Sequence, residues 1–230
     1  MKKNILIIGG SSGIGKTIVN NIKEVHNLYV AHRSKENRNL EGVTYIKFDA
    51  TKDNLETSLL PDVLHGLIYC PGSINLKPFK MLKSESFRED MEINFFSLVN
   101  VVKSVIPIMT DKASIVLFST VAVSIGMPFH TSIAAAKGAI EGFAKSLAAE
   151  YAPKIRVNVI APSLVDTPLS KRLLNNDKKR KAMEDRHPLK RIGNTEDIAS
   201  MANFLISTKS SWITGQTIRI DGGLSQINKV

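Results

Sequence analysis

Short apolar runs alternate along this chain with longer stretches whose apolar residues recur every three or four positions. The runs at residues 4–8, 28–31, 43–48, 66–70, 113–118, 155–160 and 217–220 are short and mostly apolar. That is the pattern of strands covered on both faces. Between them, Ile14, Ile18, Ile22 and Val25 recur at helical spacing. Residues 87–106 read as one long helix ending near Pro107, and residues 132–150 as an Ala-rich helix. Thr195 reads as a helix cap, with Glu196 and Asp197 in the first turn, where carboxylates complement the helix dipole. Pro162 bounds the sixth run, and Asp221-Gly222-Gly223 stops the seventh.

Buried runs that alternate with helices build βαβ units. The expected fold is α/β, a doubly wound parallel sheet of about seven strands with helices on both faces and right-handed crossovers. No Pro/Gly-rich linker divides it, so residues 1–230 read as a single domain.

Composition changes this picture little. The 230 residues are 43% hydrophobic and 23% charged, as in ordinary soluble proteins. The one cysteine, Cys70, excludes an internal disulfide and makes a reducing cytoplasm the default compartment. Lys2 and Lys3 precede an apolar run as in a signal peptide, but residues 5–8 are too few for its hydrophobic region. No run approaches the length of a membrane span, so no membrane association is expected.

Charge adds more. The net charge is +10, and much of the excess is local: Lys171, Arg172, Lys178, Lys179, Arg180, Lys181, Arg186, Lys190 and Arg191 fall close together. One reading is a solvated basic loop and helix. The other is a surface for phosphate, an acidic substrate or nucleic acid. No helix-turn-helix, zinc or aromatic-stacking pattern accompanies the charge, so neither nucleic acid nor a metal is expected.

The segment "IIGGSSGIGK" joins the first strand to the first helix, with Gly9, Gly13 and Gly15 spaced G-x-x-x-G-x-G. Glycines there permit a tight turn and close approach of backbone to a diphosphate, which the N–H groups and dipole of the helix start then hold. At the end of the second strand, a carboxylate would bond the ribose 2′-hydroxyl of NAD. His32 stands there instead, with Arg33 beside it. An arginine suits the 2′-phosphate of NADP, and Lys16 can add charge, so NADP is expected over NAD. Arg33 and Lys16 as plain surface cations is the alternative.

These features resemble the short-chain dehydrogenase/reductase family over almost the whole chain. The glycine spacing belongs to it, as do "FDATK" around Asp49, "INFFSLVN" with Asn94, and "HTSIAAAKGAI" with Lys137. "IRVNVIAPSLVDTPL" and "WITGQTIRIDGG" complete the pattern. The resemblance implies that Gly9, Ser11, Ser12, Gly13, Ile14, Gly15, His32, Arg33, Asp49, Ala50, Gly72, Asn94, Lys137, Pro162, Val165 and Thr167 border the cofactor. Asp49 would contact adenine and Thr167 the carboxamide. It also implies hydride transfer between the nicotinamide and a carbonyl/alcohol substrate, and a homo-oligomer, a tetramer before a dimer.

In that family a Ser, a Tyr and a Lys act together. Tyr and Lys stand four apart on one helix face, so the cation favours the ionised phenol that exchanges the proton. Here Lys137 matches the lysine and Thr120 replaces the usual Ser, but Ile133 stands at the tyrosine position. Tyr69, Cys70, Pro71 and Gly72 replace the family's "NNAG", and Ser163 stands where Gly is common. The candidate catalytic set is Thr120, Lys137 and Asn94, with His130 or Tyr69 as substitute proton donors. Lys137 acting through water is a further route. Against these stand a locally bonded loop histidine and a packed strand tyrosine. Thr131 and Ser132 read as helix caps, and Cys70 as a small buried residue.

The reading is therefore an NADP-dependent oxidoreductase with an atypical proton path. Its rival is an NADP-binding sensor or partner subunit without turnover. Residues 169–192 are expected to form a substrate lid, whose cations suit an acidic substrate.

Overall fold

The computed structural model describes residues 2–33 and 40–227. Seven parallel strands form one sheet: β1 (Lys3–Ile8), β2 (His26–His32), β3 (Val43–Lys47), β4 (Leu64–Tyr69), β5 (Met109–Phe118), β6 (Ile155–Pro162) and β7 (Thr217–Ile220). Their order is β3-β2-β1-β4-β5-β6-β7, so the winding reverses between β1 and β4. In such sheets the ligand crevice lies at the carboxyl ends beside the reversal.

The inner strands are apolar on both faces because both faces are covered. On one side, α1 (Gly13–Ile22) buries Ile18, Val19 and Ile22, and α7 (Thr195–Ile206) buries Ile198, Ala202 and Leu205. These pack on Ile5, Ile7, Ile68 and Val116 of the sheet. On the other side, Leu98, Val101, Val105, Ile140, Ala144 and Leu147 pack on Leu6, Leu67, Ile115 and Val157.

Four local readings change. The predicted helix at 87–106 is α2 (Ser84–Met91), a π-helical turn at Glu92–Phe96, and α3 (Ser97–Val105). Together with the 3-10 turn Ile106–Ile108 they make one rod. Ser84–Ile108 is long and apolar enough, by length and composition, to cross a membrane, so the statement that no run reaches that length does not hold. In the fold, its Leu98, Val101, Val102 and Val105 belong to the core beneath the sheet.

The cap of α7 is Asn194 rather than Thr195. Asn194 accepts from the Asp197 N–H while the Asp197 carboxylate accepts from the Asn194 N–H, a reciprocal capping box. The Thr195 hydroxyl instead bonds that of Thr17, joining α7 to α1. Neither Thr131 nor Ser132 caps α5 (Thr131–Tyr151). The cap position is His130, with no side-chain cap bond, and Ser132 is buried against α2. A short α4 (Ala122–Ile125) follows β5, and α6 (Asp177–Arg186) lies in the expected lid segment.

Candidate active site

The loop after β1 hangs on the neighbouring strand ends. Gly9 N–H donates to Ala31 O at 2.8 Å, and Cys70 N–H to Ile8 O at 3.0 Å. A Cβ on Gly15 would lie 2.4 Å from Gly9 O, so only glycine lets α1 start this close to the loop. Gly9 itself has φ +80°, a left-handed value that glycine adopts without strain. Ser12 caps α1 by position but makes no side-chain cap bond, so the first N–H groups of α1 have no side-chain partner there.

Two cavities flank this loop. The smaller, 620 Å³, is lined by Ser11, Arg33, Lys47, Phe48, Asp49 and Asp53. Asp49 bonds the Thr51 N–H at 3.1 Å and the Thr51 hydroxyl at 2.8 Å. Burial raises its pKa, but these bonds and nearby Arg33 outweigh that and hold the carboxyl below its usual range. Lys47 is a second cation at this end that spacing did not single out. His32 is packed away: its ring is buried edge-on against Tyr45 at 5.4 Å and lines neither cavity. Ala50 also lines neither cavity.

The larger cavity, 670 Å³, opens at the carboxyl ends of β4, β5 and β6 and is walled mainly by apolar groups. Ile14, Gly72, Thr120, His130, Ile133, Lys137, Pro162, Val165 and Thr167 all line it. Because Ser11 lines one cavity and Ile14 the other, the glycine loop is the shared wall, the layout a dinucleotide needs.

The π turn places Asn94 behind Gly72, a residue that lines this cavity. Its side chain is fully buried, and Nδ2 donates to Asp90 O at 2.7 Å and to Ser73 Oγ at 2.9 Å. Asn94 Oδ1 is buried without a hydrogen-bond partner. A Cβ on Gly72 would lie 3.2 Å from that oxygen and 3.3 Å from Lys137 Nζ, so both polar atoms face the space above Gly72. An orphaned buried acceptor beside an ammonium marks a place for a hydroxyl-bearing ligand. Lys137 Nζ donates to Phe118 O at 2.9 Å. Burial pulls its pKa down to about 8, against the opposing influence of Cys70 and Asp90.

Asp90, itself buried, accepts from Ser73 and from Ser132, each at 2.6 Å. This ties α2, α5 and the loop after β4 together beneath Asn94. No periodicity in the sequence signals that network, because its members lie in three separate elements.

The proton-donor candidates fare differently. Ile133 is 5% exposed and meets the cavity with a hydrocarbon surface. Tyr69 is corrected: it is in the core, its hydroxyl 2.6 Å from Ser97 Oγ, and it does not line the cavity. Burial pushes its phenol well above the usual range. His130 is half-buried at the cavity, with Nδ1 2.7 Å from Pro128 O. Cys70 lines the cavity half-buried, its thiol pushed up to about 12 by burial. The Thr120 hydroxyl accepts from the Ala122 N–H at 3.3 Å and borders the cavity.

The basic segment divides in two. Arg180 pairs with Asp166, Lys181 and Lys190 with Asp185, and Arg191 with Asp197. Arg172, Lys179 and Arg186 line the cavity and have no carboxylate within ion-pair distance among the described residues. No group of His, Cys, Asp and Glu suited to a metal occurs among the described residues.

Residues 11–225 match the family described as enoyl-(acyl carrier protein) reductase. The chain is 33% identical over 257 residues to the 3-oxoacyl-(acyl-carrier-protein) reductase FabG of Thermotoga maritima, covering 96% of this chain and 97% of that protein. A short chain dehydrogenase family protein of Francisella tularensis subsp. tularensis SCHU S4 superimposes with a TM-score of 0.91 at 30% identity, over 99% of this chain and 100% of the other. The structure of ElxO with NADP bound gives 0.82 at 25% identity, over 97% and 99%.

Proposed function

Because the chain belongs to the short-chain dehydrogenase/reductase family, we propose that it is an NADP-dependent oxidoreductase. It would interconvert a carbonyl and an alcohol on a small anionic substrate, with a proton route that does not use a tyrosine beside Lys137. The observation that carries this reading is the pair of cavities sharing the glycine loop, with Asn94 Oδ1 and Lys137 Nζ facing the same space over Gly72.

The N–H groups at the start of α1 would hold the diphosphate. Arg33 and Lys47 would flank the adenosine end, where a 2′-phosphate suits two cations. The NADP-bound state of ElxO supports that choice. Lys137 and Asn94 would hold the nicotinamide ribose. When bound, the reduced nicotinamide supplies hydride. The Thr120 hydroxyl orients the substrate carbonyl, and the apolar lining excludes water from it.

Residues 169–192 act as the lid. Arg172, Lys179 and Arg186 meet the anionic group of the substrate. Phe96, exposed between α2 and α3, gives the rod an apolar site for a second copy, so we propose a homo-oligomer, a tetramer before a dimer. A cytoplasmic setting suits the single unpaired cysteine.

Ile133 favours one rival, an NADP-binding protein without turnover. NADPH oxidation against matched anionic and neutral carbonyls separates the two. Activity is expected with the anionic members, and Arg186→Ala should raise their KM about tenfold, the lower end for a lost charge-assisted bond. Tight NADPH binding with no oxidation by any member would give the rival its support.

A further inference from the structure

The large cavity contains a second protic pair that no sequence spacing indicates. Ser163 opens the loop after β6, and His187 follows α6 in the lid; both line the cavity. His187 is 3% exposed. Its Nδ1 lies 2.7 Å from Met183 O, and a carbonyl oxygen only accepts, so Nδ1 carries a proton in every state of the ring. Nε2 is then the variable nitrogen, and it lies 2.9 Å from Ser163 Oγ.

The backbone places this pair where the chemistry would occur. Pro162 O accepts from the Val121 N–H at 3.1 Å. Thr120 and Ser163 therefore stand on either side of one hydrogen bond, at the carboxyl ends of adjacent strands. A hydroxyl in the cavity, a base behind it, and a third group fixing the base's tautomer is the arrangement that activates a hydroxyl.

We propose that Ser163, backed by His187, carries the proton to and from the substrate oxygen in place of the absent tyrosine. The inference rests on the cavity being the site of carbonyl reduction. In the imidazolium, Nε2–H donates to Ser163 Oγ and turns the hydroxyl proton outward. In reduction, the carbonyl carbon receives two electrons as hydride from the reduced nicotinamide, and the C=O π bond opens. The substrate oxygen takes the Ser163 proton, and Ser163 Oγ takes the Nε2 proton. His187 is left neutral and is reprotonated from solvent. Oxidation runs the same steps backward.

The other groups are worse placed. Lys137 Nζ is held by Phe118 O, and Tyr69 is bonded to Ser97 in the core. The one bond described for the His130 ring is to Pro128 O, with no second protic side chain in line.

The test uses the full chain with NADPH and the carbonyl panel, comparing wild type with Ser163→Ala, His187→Gln, the double variant and His130→Ala. Each of the first two should lower kcat about a hundredfold, the lower end for a placed general acid. The double variant should lose no more than either single, because the two act as a unit. The solvent deuterium isotope effect on kcat should change in both, and NADPH affinity should not.

In the cofactor-free protein, ¹⁵N shifts of His187 should report protonated Nδ1 and a hydrogen-bonded Nε2, the latter signal altered in Ser163→Ala. A bond that merely tethers the lid would instead raise KM and lower the melting temperature, with kcat and the isotope effect unchanged; that result overturns the relay. So does a protonated Nε2 with bare Nδ1 in the neutral ring, or a kcat loss confined to His130→Ala. A wild type that binds NADPH and reduces nothing overturns the proposed function and the relay together. An active wild type with unaffected Ser163 and His187 variants overturns the relay alone.

Discussion

The glycine-loop half of the site and the proton-transfer half are built under different constraints. Around β1 and α1 the backbone itself does the work: Gly15 has no room for a side chain, and Gly9 sits at a left-handed φ. Around Lys137 the cavity is lined by side chains from β5, β6, α5 and the segment after β6, and these depart from the pattern the sequence resembles. Ile133 presents hydrocarbon, Thr120 keeps a hydroxyl, and Ser163 with His187 adds one from another direction. A backbone-defined site tolerates almost no substitution, whereas a proton can arrive along any hydrogen-bonded line that ends at the right oxygen. The first half therefore keeps the family pattern while the second departs from it.

The largest effect expected on that contrast is from Gly15→Val. Its Cβ would meet Gly9 O at 2.4 Å, and backbone cannot move aside cheaply. NADPH binding should be abolished in calorimetry, with a stability loss of about 1–3 kcal/mol from overpacking. Normal binding would show that the loop is not the diphosphate site.

Lys137→Met probes the seam between the halves through pH. Burial lowers the folded-state pKa to about 8 from 10.5, so the unfolded chain binds this proton more tightly. Below the folded value the cost of the buried cation is present in full. As pH rises from 8 toward 10.5, unfolding takes up a proton and wild-type stability increases. Wild type should thus gain on Lys137→Met by up to about 3 kcal/mol across that window in urea unfolding. A difference that stays flat with pH would remove the desolvated ammonium from the account.

Arg33→Ala sharpens the cofactor side. NADPH should lose about 1.5–3 kcal/mol of binding while NADH is unchanged. Equal losses for both would place Arg33 away from the 2′-phosphate.

The smallest effect is expected from Ile133→Tyr. If the proton already travels through Ser163, the added ring crowds the cavity and kcat should fall, by about tenfold or less. A hundredfold rise in turnover would instead show a vacated donor position and a resting catalyst.

The alternation of apolar runs with helical spacing was enough to determine a seven-stranded parallel sheet, because strands buried on both faces must be apolar throughout. The glycine spacing likewise marked the tight turn between β1 and α1, since Gly15 and Gly9 meet within a few residues of each other. Arg33 and Asp49, which follow strand ends that the pattern marks, both line the smaller cavity. Tertiary structure alone decided the rest. The π turn that buries Asn94 was not read from the sequence, because the choice of hydrogen-bond partner inside a helix is set by packing around it. Tyr69 was excluded by its place in the core, where its hydroxyl meets Ser97. Ser132 was taken from the helix end by Asp90, forty-two residues away. Ser163 and His187 lie twenty-four residues apart, after β6 and after α6, and no spacing rule joins them. Hydrogen bonds between distant elements depend on where packing sets those elements, and a linear pattern carries that information only for neighbours along the chain.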